Sequence, residues 1–230
     1  MRTGRKIEKI YIERDLEIVV QLIVFDFDGT LSGGEMIVEL AMEVGQGPQI
    51  KEITEKSMRG EINFAESLSL RTDLLKGLSE KNAGAVYQKT CLRPGMGELL
   101  EELKDKNLKI AIITGGFLEG VENALLNLDM DVDWIIANDL MVERGRFTGE
   151  VKGEFLHRSK REALEKICTI AEIPIEEVIA VGDGANDIPM LEMAGFSIGF
   201  KPKMVVSEYC DVVVETVDEL KEALVERNIL

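Results

Sequence analysis

The sequence contains little of what identifies a disulfide-rich, zinc-binding or membrane protein. Its 230 residues include one histidine and three cysteines, Cys91, Cys168 and Cys210, and no two cysteines have Cys-x-x-Cys spacing. We therefore expect neither a disulfide framework nor a zinc site, and this cysteine usage favours a reducing cytoplasm. The longest apolar run near the N-terminus, Ile18–Phe25, is interrupted by Gln21 and has no cleavage signature. It is too short to cross a membrane and does not predict secretion.

Positive charge is also scarce. The chain has 27 basic and 43 acidic residues, which gives a formal net charge of −16. Nucleic acids and anionic membranes require a basic patch, so neither partner is expected. The composition is that of a globular protein, with 45% hydrophobic and 30% charged residues, and the length suffices for one or two domains. Monomer and homodimer both remain open.

Short apolar runs alternate with amphipathic helical periods along most of the chain. Three short apolar runs, each rich in β-branched residues, lead into Asp or Thr and glycine: Leu22–Phe25, Ile110–Ile113 and Val178–Val181. They lack polar alternation, which predicts strands buried on both faces. Two more apolar runs occupy residues 197–200 and 211–214, and helical periods occupy 98–106, 118–128 and 160–170. This alternation predicts an α/β fold with a doubly wound parallel sheet, a Rossmann-like core.

Residues 35–90 differ from the rest because they show helical periods and no convincing strand. Gly33-Gly34 precedes them and Pro94-Gly95 follows, so we predict a small all-helical cap inserted after the first strand. The α/β core then comprises residues 1–34 and 91–230. Within it, residues 1–21 are ambiguous between helix and strand, and residues 142–148 resemble a hairpin turned at Arg144-Gly145.

Acidic residues follow two of the predicted strands. Asp26 and Asp28 end the first, in Phe-Asp-Phe-Asp-Gly-Thr, and Asp183 and Asp187 follow another, in Gly-Asp-Gly-Ala-Asn-Asp. The carboxyl ends of parallel strands share one rim of the sheet, where ligands bind. Carboxylates in apolar surroundings need a cation, and hard oxygen ligands select Mg²⁺. Each fragment alone also fits an ordinary turn or helix cap.

Two further pieces suit a phosphate group. Thr114-Gly115-Gly116 follows a predicted strand and leads into a predicted helix, and a hydroxyl with backbone N–H groups at a helix N-terminus forms an anion site. Lys160 lies with Arg158 and Arg161 at another predicted helix start, where cations are disfavoured without a partner. A nucleophilic carboxylate, a second acid, metal ligands, a phosphate cradle and a lysine are the requirements of phosphoryl transfer.

With these four motifs in this order, the sequence resembles the haloacid dehalogenase superfamily from about Leu22 onward. On the cap side, Gly33-Gly34-Glu35, Met58, Asn63-Phe64 and Arg71 resemble the members that hydrolyse O-phosphoserine. Gly29 and Thr114 depart from that subfamily, which often has serine at both positions.

The resemblance implies a role for each motif residue. Asp26 would attack phosphorus and form an aspartyl-phosphate, and Asp28 would protonate the leaving group and then activate water. Mg²⁺ would be held by Asp26, the Asp28 main-chain carbonyl and Asp183, with Asp187 orienting the shell. The residues expected to bind the substrate are Thr114, Gly115, Asn186 and Lys160 at the phosphate, Glu35 at the ammonium, Arg71 at the carboxylate, and Met58 and Phe64 along the pocket wall.

Arg71 also has support from the helical pattern. It falls within the apolar arc of the predicted helix at 64–75, together with Leu68 and Leu70. A buried charge needs an anionic partner, which is either the substrate or a glutamate of the cap.

The activity that the resemblance implies is Mg²⁺-dependent hydrolysis of a small phosphomonoester, O-phosphoserine, as the last step of serine biosynthesis. The alternatives are a same-fold phosphatase for another phosphomonoester and a phospho-acceptor signalling domain. A receiver domain carries its phospho-acceptor after a later strand and lacks the helical insertion. A P-type pump domain would have Lys in place of Asp28, and a non-enzymatic relative would be expected to lack one of the motifs.

Overall fold

The computed structural model describes residues 19–58, 61–153 and 158–230. The strands are β1 Leu22–Phe25, β2 Lys109–Phe117, β3 Trp134–Glu143, β4 Arg146–Gly153, β5 Val178–Gly182, β6 Phe196–Phe200 and β7 Val212–Val214. The helices are α1 Met36–Met42, α2 Gly47–Met58, α3 Phe64–Asp73, α4 Glu80–Tyr87, α5 Met96–Asp105, α6 Leu118–Leu126, α7 Lys160–Ala171, α8 Ile188–Leu191, α9 Met204–Ser207 and α10 Val217–Val225.

The strands form a seven-stranded sheet in the order β4-β3-β2-β1-β5-β6-β7. Every pairing is parallel except β3 with β4. Because β1 is central, its alternate residues enter two cores: Ile23 and Phe25 pack on one face and Leu22 and Val24 on the other. Helices cover both faces, which explains the unbroken apolar runs. The predicted doubly wound α/β fold is confirmed.

The helices α1 to α4 all lie between β1 and α5. Ile50 of α2, Leu68 of α3 and Leu75, just after α3, are buried in the same core as the β1 face that carries Phe25. Asn63 and Ser79 cap α3 and α4, because each side chain accepts from the backbone N–H of the third residue of its helix, Glu66 and Asn82. The boundaries predicted for the cap and core, 35–90 and 1–34 with 91–230, stay predictions.

Two elements differ from the sequence-based expectation. The predicted hairpin is the tip of a long one, β3–β4, whose turn residues Arg144 and Gly145 both have positive φ, of 50° and 74°, as two-residue hairpin turns require. The first part of β3, at Trp134, also extends the parallel sheet beside β2, and this strand was not predicted. Residues 1–18, most of the ambiguous N-terminal segment, lie outside the described residues. In the described ranges, no helix combines the length and apolar character needed to cross a bilayer.

Candidate active site

The predicted site residues of three strands meet at one cavity of about 370 Å³. Asp26 and Asp28 follow β1, Thr114 lies near the end of β2, and Asp183 follows β5. These strands are adjacent and parallel, so their carboxyl ends form one edge of the sheet. The cap side contributes Glu35, Phe64 and Arg71 to the same cavity, and Asn186 lies at its wall.

Lys160 joins two of the acidic motifs. Its ammonium contacts Asp26 and lies 2.5 Å from Oδ1 of Asp187. All three side chains are almost completely buried. Burial alone would lower the pKa of Lys160, but the charges of Asp187 and Asp26 raise the pKa above its ordinary value. These two carboxylates explain why a lysine stands at the N-terminus of α7, which Ser159 and Glu162 close with a capping box.

The Asp187 carboxylate is held from a second side. Its Oδ2 accepts hydrogen bonds from the backbone N–H groups of Asp183, at 3.0 Å, and Gly184, at 2.8 Å. Asp187 is therefore fixed both to the loop after β5 and to Lys160, and its side chain does not cap α8. The loop that carries Asp183 is consequently tied to the loop that carries Asp26.

Three carboxylates form a group suited to a cation. Oxygens of Asp26, Asp183 and Asp187 all lie within 4.8 Å of one another. Burial, and next the charge of Asp187, raises the pKa of Asp26 well above its ordinary value and that of Asp183 to about 6. Lys160 is the one buried cation that contacts this group among the described residues. A hard divalent cation fits the donor set, because it would offset the remaining negative charge.

Asp28 has a different environment. Its Oδ1 accepts from the backbone N–H of Met36, the first residue of α1, at 3.4 Å. Burial, and then the charge of Glu35, raises the pKa of Asp28 to about 7. A carboxyl group that titrates near neutrality suits general acid–base chemistry. Its carboxylate is not in the three-carboxylate group, and the predicted use of its main-chain carbonyl as a metal ligand stays a prediction.

The Thr114 cradle is built differently from the expectation. Strand β2 continues through Gly115 and Gly116 to Phe117, and α6 begins only at Leu118. The cradle is therefore an irregular strand end and not a helix N-terminus. Thr114 Oγ1 accepts from the N–H of Gly116 at 2.9 Å, and a Cβ built at Gly115 would lie 2.7 Å from the Phe64 ring. The cap thus rests directly on the cradle.

Arg71 is buried, as its helical position predicted, with a relative exposure of 9%. Its neighbour Leu68 is also buried, but Leu70, assigned to the same arc, is 45% exposed. Burial lowers the pKa of Arg71, while the charges of Glu35 and Asp28 oppose that shift. Its Nε donates to the Ser67 carbonyl at 3.2 Å, and no salt bridge to Arg71 exists in the described ranges. Met58 ends α2, and its side chain lies outside the described residues.

Sequence reasoning missed two residues of this site. Lys203, after β6, lines the cavity; its Nζ lies 3.8 Å from Asp183 Oδ2 and its N–H donates to the Asp183 carbonyl at 2.9 Å. Asn138 in β3 is buried and donates from Nδ2 to the Gly115 carbonyl at 2.9 Å. Asn138 follows an apolar run, Trp134–Ala137, as the other site residues do, and that signal could have identified it. Lys203 has no comparable signal.

Comparison with known proteins decides the family. The sequence model of the haloacid dehalogenase-like hydrolase family matches residues 23–192 of this chain. The chain belongs to this family. Phosphoserine phosphatases from Halobacterium salinarum and Methanocaldococcus jannaschii are each 40% identical to it, over 208 and 205 residues. Those alignments cover 90% and 89% of this chain and 99% and 96% of the relatives.

Solved structures agree in fold. A phospho-aspartyl intermediate analogue of phosphoserine phosphatase superposes with a TM-score of 0.82 at 38% identity, covering 89% of this chain and 99% of that chain. A substrate-bound phosphoserine phosphatase complex gives 0.82 at 39% identity, with coverages of 90% and 98%. The resemblance deduced from the motifs is confirmed, and the chain is a hydrolase of this family.

Proposed function

We propose that this chain is a cytoplasmic phosphatase that hydrolyses O-phosphoserine to serine and phosphate, as the last step of serine biosynthesis. The observation that carries the substrate is the pairing of opposite charges in one cavity: Arg71 and Glu35 line the cavity that also holds Asp26 and Asp28. An amino acid presents one carboxylate and one ammonium, and Arg can hold the carboxylate with two parallel hydrogen bonds. The relatives named phosphoserine phosphatase support the same substrate.

The reaction proceeds in two displacements. In the first, a carboxylate oxygen of Asp26 forms a bond to phosphorus, the bond from phosphorus to the serine oxygen breaks, and Asp28 gives its proton to that oxygen. In the second, Asp28 takes a proton from water, the water oxygen bonds to phosphorus, and the Asp26 carboxylate leaves. The raised pKa of Asp28, about 7, suits both directions of proton transfer.

The other site residues place charge around the phosphate. Lys160 holds Asp26 and Asp187 in place. Thr114, Gly115 and Asn186 line the cavity and are proposed to bind the phosphate oxygens. Mg²⁺, held by Asp26, Asp183 and the Asp28 carbonyl with Asp187 beside them, would stabilise the developing negative charge. Glu35, Arg71, Phe64 and Met58 form the cap side of the proposed substrate site, in a cap comprising residues 35–90.

The decisive experiment combines a phosphomonoester panel with two substitutions. Arg71→Ala should lower kcat/KM on phosphoserine by a factor that corresponds to about 2–4 kcal/mol of lost transition-state stabilisation. The loss should be far smaller on p-nitrophenyl phosphate, which has no carboxylate. Glu35→Gln should separate phosphoserine from its deaminated analogue in the same way. The exposed cap residue Lys81 provides a control, since Lys81→Ala removes a cap cation outside the cavity. Equal losses on all substrates would assign Arg71 and Glu35 to cap integrity and remove the basis for phosphoserine.

Substitutions of the two aspartates and mass spectrometry of the phosphorylated enzyme test whether Asp26 is the nucleophile. Asp26→Asn should abolish turnover, because an amide does not attack phosphorus. Asp28→Asn should retain the first displacement but lose acid–base help, on the order of 10²–10⁴-fold. Mass spectrometry of the trapped enzyme should locate the phosphoryl group on Asp26, and a phosphoserine or phosphohistidine would contradict the mechanism.

A further inference from the structure

Arg93, in the connection from α4 to α5, forms hydrogen bonds with the chain just beyond the acidic motif that follows β1. Its Nη2 donates to the Gly29 carbonyl at 2.7 Å and its Nε to the Thr30 carbonyl at 3.0 Å. Its own backbone N–H donates to the Leu31 carbonyl at 2.8 Å. One half-buried residue therefore holds three successive carbonyls of the loop formed by residues 26–32, which we call the nucleophile loop.

The guanidinium is itself supported by the core. Its central carbon lies 5.4 Å from the centroid of the buried Phe200 ring at the end of β6. Next to it, Leu92 forms an antiparallel bridge with Ser32. The nucleophile loop is thus bound to Leu92 and Arg93, which follow the helical insertion. Arg93 in turn packs on Phe200 of the sheet.

The held loop touches the acidic group directly. Gly29 has φ of 87°, and a Cβ built there would lie 2.7 Å from Asp183 Oδ1 and 2.8 Å from Oδ2. The backbone of Gly29 therefore packs against the Asp183 carboxylate. Asp26 and Asp28 precede Gly29 in the same loop. A shift of the Gly29 and Thr30 carbonyls would move Asp26 relative to Asp183, and these are two of the three carboxylates that form the acidic group.

We propose that Arg93 is a positioning residue that holds the nucleophile loop so that Asp26, Asp28 and Asp183 keep the geometry needed for cation binding and phosphoryl transfer. Arg93 does not line the active-site cavity, so it acts through the loop and not on the substrate. A planar guanidinium donates to two neighbouring carbonyls at once, which a lysine ammonium on a flexible stem does not reproduce. This inference rests on the proposed function for the identity of cation and reaction.

The experiment compares Arg93→Met and Arg93→Lys with the wild-type chain. Titration calorimetry of metal-free protein with Mg²⁺ should give a dissociation constant about 10–100-fold higher for Arg93→Met, and an intermediate value for Arg93→Lys. Turnover of p-nitrophenyl phosphate at saturating Mg²⁺ should show kcat reduced at least tenfold and KM changed less than about twofold, as expected for geometry lost without a lost substrate contact.

Arg146 provides the matched control. Its Nη1 donates to the Gly77 carbonyl at 2.7 Å, at the tip of the β3–β4 hairpin. Arg146→Met removes the same kind of arginine–carbonyl bond away from the acidic group and should leave both Mg²⁺ affinity and kcat unchanged. Circular dichroism and thermal melts of each variant identify any general loss of folding.

The outcomes separate the two ideas. A wild-type chain that neither binds Mg²⁺ nor releases phosphate contradicts the proposed function itself. A functional wild type with an Arg93→Met variant of unchanged Mg²⁺ affinity and kcat overturns the positioning role alone. Losses in Arg146→Met equal to those in Arg93→Met also overturn it, because they would reflect stability. If Arg93→Met does not fold, Arg93→Lys provides the test. Full Mg²⁺ affinity and kcat in a folded Arg93→Lys would overturn the positioning role of the guanidinium, which donates to the Gly29 and Thr30 carbonyls together.

Discussion

The ammonium of Lys160 lies 2.5 Å from the carboxylate of Asp187, in a contact from which solvent is almost entirely excluded. The same nitrogen contacts Asp26, 134 residues away in sequence. A buried ion pair contributes little net stability by existing, but removing one partner leaves uncompensated charge in the interior. Lys160 therefore offsets the charge of both buried carboxylates in the metal-free site.

Lys160→Met should destabilise the metal-free chain by about 3–5 kcal/mol, because Asp26 and Asp187 would be buried without a cation. Urea unfolding followed by circular dichroism measures the free energy of unfolding. Adding Mg²⁺ should restore part of that loss but not turnover. Arg161→Met, which removes an exposed neighbouring cation paired with Glu165, should change stability by less than about 1 kcal/mol. Equal effects of the two substitutions would contradict this role for Lys160.

Removing the metal should abolish activity, and chelator should also lower the melting temperature. Binding to the folded state alone stabilises by about 2.7 kcal/mol at a ligand concentration 100 times the dissociation constant. Asp183→Asn should have the opposite effect on the stability of the metal-free chain. It removes like charge from the group, so the metal-free form should gain about 1–2 kcal/mol while its response to Mg²⁺ disappears. Asp105→Asn, on the exposed end of α5, should retain the full Mg²⁺ response.

The sequence predicts the parts of this site that are local in the chain. Asp26, Thr114 and Asp183 each follow an apolar run, and parallel strands bring such ends together, so their convergence needs no side-chain detail. The burial of Arg71 was also predictable, because 3.6-residue periodicity assigns it to the apolar face of α3.

Features that depend on long-range packing were not predictable. The outer half of β3 was missed because it is largely exposed and has no continuous apolar run, whereas its first four residues, Trp134–Ala137, do form such a run and that signal was overlooked. The contacts of Arg93 and Lys203 join loops that only the closed sheet brings near one another. The cradle at Thr114 was assigned to a helix N-terminus because a strand that continues through two glycines cannot be distinguished from a turn by propensity alone.

Lys203→Gln should tighten Mg²⁺ binding. Its Nζ lies 3.8 Å from Asp183 Oδ2, so it competes with a cation for that carboxylate and repels the incoming charge. The side chain is partly exposed, so the gain should be modest, about three- to tenfold at low salt and smaller at high salt. Calorimetric titration of the metal-free variant measures it. Lys201→Gln changes net charge equally outside the cavity and should leave the affinity unchanged. Weaker binding in Lys203→Gln would contradict the competition.

Tyr87 should make stability fall in alkaline solution. Burial, followed by the charges of Glu119 and Asp139, raises the pKa of its phenol far above the ordinary value. The folded chain therefore keeps this proton where the unfolded chain releases it, so stability present below about pH 10 is lost as pH rises further, by up to about 1.4 kcal/mol per pH unit. Tyr87→Phe should show a shallower decline between pH 10 and 11, while Tyr209→Phe, at an exposed position, should match the wild type.

Gly182→Ala should disrupt the site from the end of β5. A Cβ built at Gly182 would lie 2.7 Å from Cβ, Cγ and Oδ2 of Asp187. That carboxylate cannot move aside without losing its bonds to two backbone N–H groups and to Lys160. We expect a loss of about 2–4 kcal/mol in the free energy of unfolding, together with weakened Mg²⁺ binding. Gly84→Ala, inside α4, meets no atom closer than 4.0 Å and should stabilise by about 0.5–1 kcal/mol. A Gly182→Ala variant with wild-type stability and Mg²⁺ affinity would show that Asp187 is free to shift, and would contradict the rigid tie between it and the loop after β5.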